Sequence, residues 1–185
     1  MKALTRFRHG LLTLMASGQL VLIGCVMPSG SLSAAETSRM QAFREYKAVW
    51  NSHDVRGITA FYGKNGTLNN PGTGKMPPRA TAQWLRGLFT AIPDFHVRDI
   101  SVDPIGNHML AEQWVISGTW KKPFPSGPPA GKKPTGKSFT VSGATFFKWQ
   151  GDTIASETQY YDQMAFLTQL GVIPPPNAKP QSSAK

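Results

Sequence analysis

The sequence has one cysteine in 185 residues, and 10 acidic side chains against 20 Lys and Arg. A lone Cys25 cannot close a disulfide within the chain or build a thiolate metal cluster. His53, His96 and His108 stand far apart, and none belongs to a pair at metal-ligand spacing, so no metal site is expected. No serine sits in a nucleophile elbow: Ser142 has Gly143 beside it rather than a glycine two residues to either side. The apolar run of residues 11–24 is shorter than the roughly 20 residues a membrane-spanning helix needs. The basic excess lacks a face interleaved with aromatics, which argues against a nucleic-acid partner. It lies at the N-terminus and in loops and the tail, at Lys121, Lys122, Lys132, Lys133, Lys137, Lys179 and Lys185.

What is present begins with an address. Lys2, Arg6 and Arg8 precede the apolar run, the architecture of a secretory signal. Leu22-Ile23-Gly24-Cys25 resembles the lipobox of bacterial lipoproteins, in which the Cys becomes the lipidated first residue. The competing readings are cleavage after Ser33-Ala34-Ala35 and an uncleaved anchor. Each places the mature domain outside the cytoplasm, in the cell envelope or periplasm, with a lipid at Cys25 as the expected membrane contact. The expected organisation is a signal over 1–24, a tether over 25–37, one domain over 38–173 and a Pro-rich, then polar, tail over 174–185.

Within the domain, Ser38 with Gln41 reads as a capping box. Met40, Phe43, Tyr46, Lys47 and Trp50 then recur at helical spacing. Asn51–Asp54 breaks that helix, and a second runs from Val55 to Tyr62, ended by Gly63. Gly66–Asn70 reads as a short strand and Arg79–Ala91 as a third helix. From Phe95 the period changes to two, giving strands over 95–102, 109–120, 137–149 and 153–161. A Pro-, Gly- and Lys-rich surface loop spans 121–136. The expected class is α+β: a cone-shaped, curved antiparallel sheet with three N-terminal helices packed on its concave face. Such a cone has an apolar interior, a default ligand site.

Residues 131–138 (Gly-Lys-Lys-Pro-Thr-Gly-Lys-Ser) match the P-loop pattern by letter. A P-loop opens a helix whose N-terminal amides hold phosphate. Here a strand follows, so nucleotide binding is not expected.

The functional question centres on Asp162, between the strand ending at Tyr161 and the segment Gln163–Leu170 closed by Gly171. It reads either as a helix N-cap or as a general acid/base at the rim of an apolar cavity. Strict alternation along Ile154, Ser156, Thr158, Tyr160 and Asp162 puts Thr158 and Tyr160 on its face. Tyr160 would then hydrogen-bond a developing enolate oxygen, with Asn69 or Asn70 assisting from the short strand. Most aromatics are core. Trp50 and Trp114 are expected in the cavity wall, which suits a flat, apolar ligand.

Trp50-Asn-Ser-His-Asp54, Ala91-Ile-Pro-Asp-Phe-His96, Ser117-Gly-Thr119, Pro134-Thr-Gly136 and above all Gly151–Asp162 with Gln169-Leu-Gly171 resemble the SnoaL-type polyketide (ester) cyclases. The resemblance runs from about Met40 to Val172. It implies the nuclear-transport-factor-2-like cone, a homodimer paired through the outer face of the sheet, and chemistry without cofactor or metal. It also implies an aspartate at the end of the last strand as acid/base, and Asp162 is the residue that matches. The expected function is an exported domain enclosing a small apolar or aromatic carbonyl compound, with cyclase- or isomerase-type chemistry through Asp162. The alternatives are a non-catalytic ligand-binding or dimerisation module of the cell envelope, and another reaction, such as hydrolysis, on the same cone.

Overall fold

The structure is a computed structural model and describes residues 33–175. The signal, Cys25, the tether up to residue 32 and the tail from residue 176 lie outside the described residues.

Helix α1 spans Ala34–Asn51. It starts earlier than Ser38 because Ser33 and Glu36 form the capping box: Glu36 N donates to Ser33 Oγ at 3.2 Å, and Ser33 N donates to Glu36 Oε2 at 2.7 Å. The last residues assigned to the tether are therefore helical. Arg39, Phe43, Tyr46 and Trp50 form the buried stripe, at the spacing of one helix face. His53 adopts φ 57° and ends the turn; its Nε2 lies 2.7 Å from the Phe95 carbonyl oxygen and its ring stacks on Phe89 at 4.2 Å. Helix α2, Val55–Ala60, is capped by Asp54. It stops short of the expected Tyr62 because Tyr62 begins a strand instead.

That strand is β1, Tyr62–Asn70, and a tight turn leads to β2, Gly74–Met76, which the sequence reading missed. Helix α3 spans Pro78–Ala91, with proline at its first position, where the missing N–H is no loss. Strands β3 (His96–Ile105), β4 (Met109–Thr119), β5 (Ser138–Gln150) and β6 (Thr153–Tyr161) follow, and α4 (Gln163–Gln169) closes the fold.

The six strands form one curved, open sheet in the order β2-β1-β6-β5-β4-β3. Neighbours are antiparallel except β1 and β6, which run parallel, so the sheet is mixed rather than wholly antiparallel. Parallel pairing requires a crossover, and the chain supplies it through α3 and the β3–β5 meander. Only α1 and α2 precede the first strand; α3 sits between β2 and β3. Pro104 is tolerated within β3 because β3 is an edge strand.

Two local features set which side chains face inward. Between Lys148↔Ser156 and Trp149↔Ile154 the β5–β6 register slips by one residue, a bulge at Ala155. Ile154 is buried before the bulge, and after it the inward residues are Glu157, Gln159 and Tyr161. The other feature is Gly143 on β5. A Cβ there would lie 2.3 Å from Trp114 Cη2 and 2.6 Å from the Tyr160 carbonyl oxygen, so only glycine lets Trp114 lie flat against the strand. Gly143→Ala is expected to lower stability by roughly 1–3 kcal/mol through overpacking, measured by chemical denaturation. An unchanged midpoint would show that Trp114 moves aside freely.

Candidate active site

Helix α1 lies over the sheet with Phe43 and Tyr46 edge-on to Phe147, at centroid separations of 5.6 and 5.8 Å. Its last turn is tied to β3 by Asn51, whose side chain bonds both the N–H and the C=O of Val97 at 2.9 Å. Between α1, α3 and the inner face of the sheet remains a cavity of about 80 Å³. Trp50, Trp84, Leu88, Trp114, Phe147 and Phe166 give it mainly apolar walls. A shallower recess of about 370 Å³ adjoins it and shares Gly72, Thr73, Trp84, Ser126 and Gly127 with it. The 121–136 loop is more than surface: Phe124 and Ser126–Pro129 form part of the cavity wall. Thr73 Oγ1, at the junction of cavity and recess, is buried and has no hydrogen-bond partner among the described residues.

Two glutamates enter this apolar space. Glu157 is 2% exposed. Its Oε2 lies 2.5 Å from both Tyr46 Oη and Tyr62 Oη, and the two phenol oxygens are 3.0 Å apart. Its Oε1 accepts from Gln159 Nε2 at 2.7 Å. Burial pushes the Glu157 carboxyl above its ordinary range, against the pull of the tyrosine and glutamine donors and of Lys47. Proton counting agrees. The three oxygens Tyr46 Oη, Tyr62 Oη and Glu157 Oε2 make three contacts, and two phenol protons cannot serve all of them. A protonated carboxyl supplies the third. Burial and the neighbouring carboxyl raise both phenols well above their ordinary range, so they remain donors.

Glu112, on β4, is 1% exposed, and its Oε1 takes a hydrogen bond from Lys47 Nζ at 2.5 Å. Lys47 also reaches Asp99 at 3.3 Å. Burial pushes Glu112 up to about 8, while the Lys47 ammonium pulls it down. The cavity thus holds one carboxyl set against phenols and another set against a cation.

The residues singled out from the sequence divide between the two sides of the sheet. Trp50 and Trp114 line the cavity, and Trp114 Nε1 is held by Thr145 Oγ1 at 2.7 Å. Asn70 lines it and Asn69 does not: Asn69 is exposed, pairing on β1 with Thr158. Thr158 and Tyr160 are on the outer face, where Tyr160 is 58% exposed with its ring 6.0 Å from that of Phe146. Strict alternation placed them inside; the extra residue at the Ala155 bulge inverts the face of everything after it. Asp162 is exposed and caps α4, accepting from Ala165 N at 2.8 Å. The desolvation expected for it at a cavity rim falls instead on Glu157. Glu112 was within reach of sequence reading, since Leu110, Glu112 and Trp114 alternate on one face of β4. Glu157 needed the position of the bulge, which has no sequence mark. Among the described residues no cluster of His, Cys, Asp and Glu is disposed to hold a metal ion, and no helix is long and apolar enough to cross a membrane.

The raised Glu112 carboxyl makes a signed prediction. The native state holds this proton more tightly than the unfolded chain, so the stabilisation is fully present below about pH 4.5 and is lost as pH rises through about 8. Wild type is therefore expected to lose more stability than Glu112→Gln between pH 5 and pH 9, in urea titrations at both pH values. Equal losses in the two proteins would contradict a proton held at Glu112.

A family model for the SnoaL-like polyketide cyclases matches residues 40–170. No curated protein matches the chain. Among solved structures, it is similar to a protein described as a SnoaL-like polyketide cyclase from Jannaschia sp. CCS1, with 15% identity and a TM-score of 0.67, over 78% of this chain and 99% of that one. It is also similar to a protein described as a polyketide cyclase from Xanthomonas campestris pv. campestris, with 18% identity and a TM-score of 0.65, over 74% and 99% of the two chains. A third, from Catenulispora acidiphila, has a ketosteroid isomerase-like fold and was solved with trimethylamine; it is 20% identical, with a TM-score of 0.58 over 71% and 92%. The match over residues 40–170 takes in α1 from its second turn through to α4, including every strand of the sheet and both cavity glutamates, and the chain belongs to the SnoaL-like polyketide cyclase family.

Proposed function

We propose that the cavity binds a small, largely apolar carbonyl compound and catalyses proton transfer at the carbon next to the carbonyl, without a cofactor, with Glu157 as the acid/base. The observation that carries this reading is a buried carboxyl bonded to two phenols at the inner end of an aromatic-walled cavity. A carboxyl whose hold on its proton is strengthened by burial is suited to acid/base work. Tyr46 lines the cavity beside it and gives its hydroxyl proton to the ligand oxygen as that oxygen gains charge. Glu157 Oε2 then replaces that proton on Tyr46 Oη. Two bonds form, ligand O–H and a new Glu157 O–H, and two break, the original Glu157 O–H and the C–H next to the carbonyl, whose proton the carboxylate takes; the product is the enol, and the same transfers run backward return the ketone. A cavity of about 80 Å³ is smaller than the ~150 Å³ known to hold a benzene ring. A ring-sized ligand therefore extends into the recess, where the unpartnered Thr73 hydroxyl offers a second polar anchor.

Proton abstraction can be read before the natural substrate is known. A panel of enolisable aryl ketones in D₂O is expected to exchange the hydrogens next to the carbonyl faster with the protein present, as followed by proton NMR. Glu157→Gln is expected to lower that rate by ~100-fold or more. Asp162→Asn keeps the helix cap, since Asn caps as well as Asp, and is expected to retain both rate and stability. Loss of exchange in Asp162→Asn with retention in Glu157→Gln would return the role to Asp162. Ketone binding without exchange in any form would leave a ligand-binding module.

Export with acylation at Cys25 is proposed on the basic N-terminus, the apolar run and the lipobox-like Leu22–Cys25. One structural feature favours processing at Cys25 over cleavage after Ala35: the second would remove Ser33, half of the capping box that starts α1. Mass spectrometry of the native protein is expected to find a diacylglyceryl group on Cys25, and a free N-terminus at Glu36 would rule it out.

A further inference from the structure

Glu157 Oε1 faces a chain of amides whose direction can be worked out from one end. At that end is the backbone N–H of Gly72, which can only donate, and it lies 2.8 Å from Asn70 Oδ1. That contact fixes the Asn70 amide, since the flipped form would set its NH₂ against the Gly72 N–H. The Tyr161 hydroxyl, 3.4 Å from the same oxygen, adds a weak bond of the same sense. Asn70 Nδ2 must then donate, and it meets Gln159 Oε1 at 2.7 Å. This fixes the second amide in turn, so Gln159 Nε2 donates to Glu157 Oε1 at 2.7 Å. All three side chains line the cavity.

We infer that Asn70 is a positioning residue: acting through Gln159, it makes Glu157 Oε1 a permanent acceptor and so confines the carboxyl proton to Oε2, on the side of Tyr46 and Tyr62. The inference rests on the acid/base reading of Glu157 for its functional meaning, but not for its geometry. A carboxyl with two equivalent oxygens would hold its proton on either. Here one oxygen is occupied by a donor whose orientation traces to the Asn70–Thr73 turn, closed by the Thr73 N to Asn70 O bond at 3.1 Å. The proton is thereby directed to the oxygen that meets Tyr46, the phenol in the cavity wall. The same turn carries Gly72 and Thr73 at the junction of cavity and recess. Movement of the turn at the entrance would therefore be felt at the carboxyl.

The groups that bear on Glu157 are Tyr46 and Lys47 from α1, Tyr62 from β1 and Gln159 from its own strand. Substitution of Asn70 leaves the first three in place, so its effect can be read on the Glu157 carboxyl carbon by ¹³C NMR with labelled glutamate, assigned with Glu157→Gln. In Asn70→Leu, Gln159 is free to turn its amide, Oε1 loses its donor, and the Glu157 midpoint is expected to rise by about one pH unit. Gln159→Met is expected to raise it by a similar amount. The double variant is expected to match Gln159→Met alone, because Asn70 acts through Gln159. Asn70→Ser, which keeps a hydroxyl for the Gly72 N–H, is expected to shift the midpoint in the same direction and serves if the Leu variant does not fold. A rise in Gln159→Met with none in either Asn70 variant would overturn the inference, as would additive shifts in the double variant. None of these readings depends on turnover. The expected midpoints with no ketone exchange in the wild type would defeat the proposed reaction and leave the positioning intact.

Discussion

A carboxyl buried in an apolar cavity is tolerated only if every lone pair that matters has a donor, and the arrangement around Glu157 meets that condition from three separate segments. Tyr46 comes from α1, Tyr62 from the start of β1, and Gln159 from β6. An uncompensated buried charge costs several kcal/mol, more than any single aromatic contact in the core supplies. The parallel β1–β6 pairing is what puts Tyr62 beside Glu157. The position of α1 over the sheet, held by Phe147 at its centre and by Asn51 at its end, is what brings in Tyr46. The early ending of α2 follows from the same demand, since Tyr62 is needed as a strand residue.

Around this point the cavity is divided by chemistry. Glu112 is paired with Lys47, a cation that favours its charged form; Glu157 is surrounded by neutral donors that tolerate either form. Burial raises both carboxyls; what differs is the groups bonded to them, a cation at Glu112 and phenols with an amide at Glu157. The tryptophan and phenylalanine walls supply area and shape and hold no group that titrates near neutral pH. Under the proposed function, proton transfer in the cavity falls to the few polar groups that interrupt them.

Much of the fold could be read from residues alone because its signals are local and periodic. The stripe Phe43, Tyr46, Trp50 and the alternation of β4 and β5 led directly to α1 and to the sheet. What could not be read depended on long-range pairing. The parallel β1–β6 contact joins residues about ninety positions apart, and β2 is three residues long with no alternation to detect. The bulge at Ala155 mattered most. One extra residue inverted the face of Thr158 and Tyr160, moved attention to Asp162, and hid Glu157 three residues from Ile154, with which it shares a face. Trp50 and Trp114 line the cavity, and their helix and strand phases have no such slip. Asn70 rather than Asn69 lines the cavity because the β1 face is set by Leu68, which is fully buried.

The proposed chemistry lies inside the cone, at the phenol–carboxyl group, and not at the exposed end of β6. A crystal structure of the protein with an aryl ketone that it causes to exchange would test this most directly. The expected result is a ring between Trp50, Trp84 and Trp114, with the carbonyl oxygen within hydrogen-bond reach of Tyr46 Oη. A ketone bound instead against Tyr160 and Asp162 on the outer side, with the cavity closed, would contradict it.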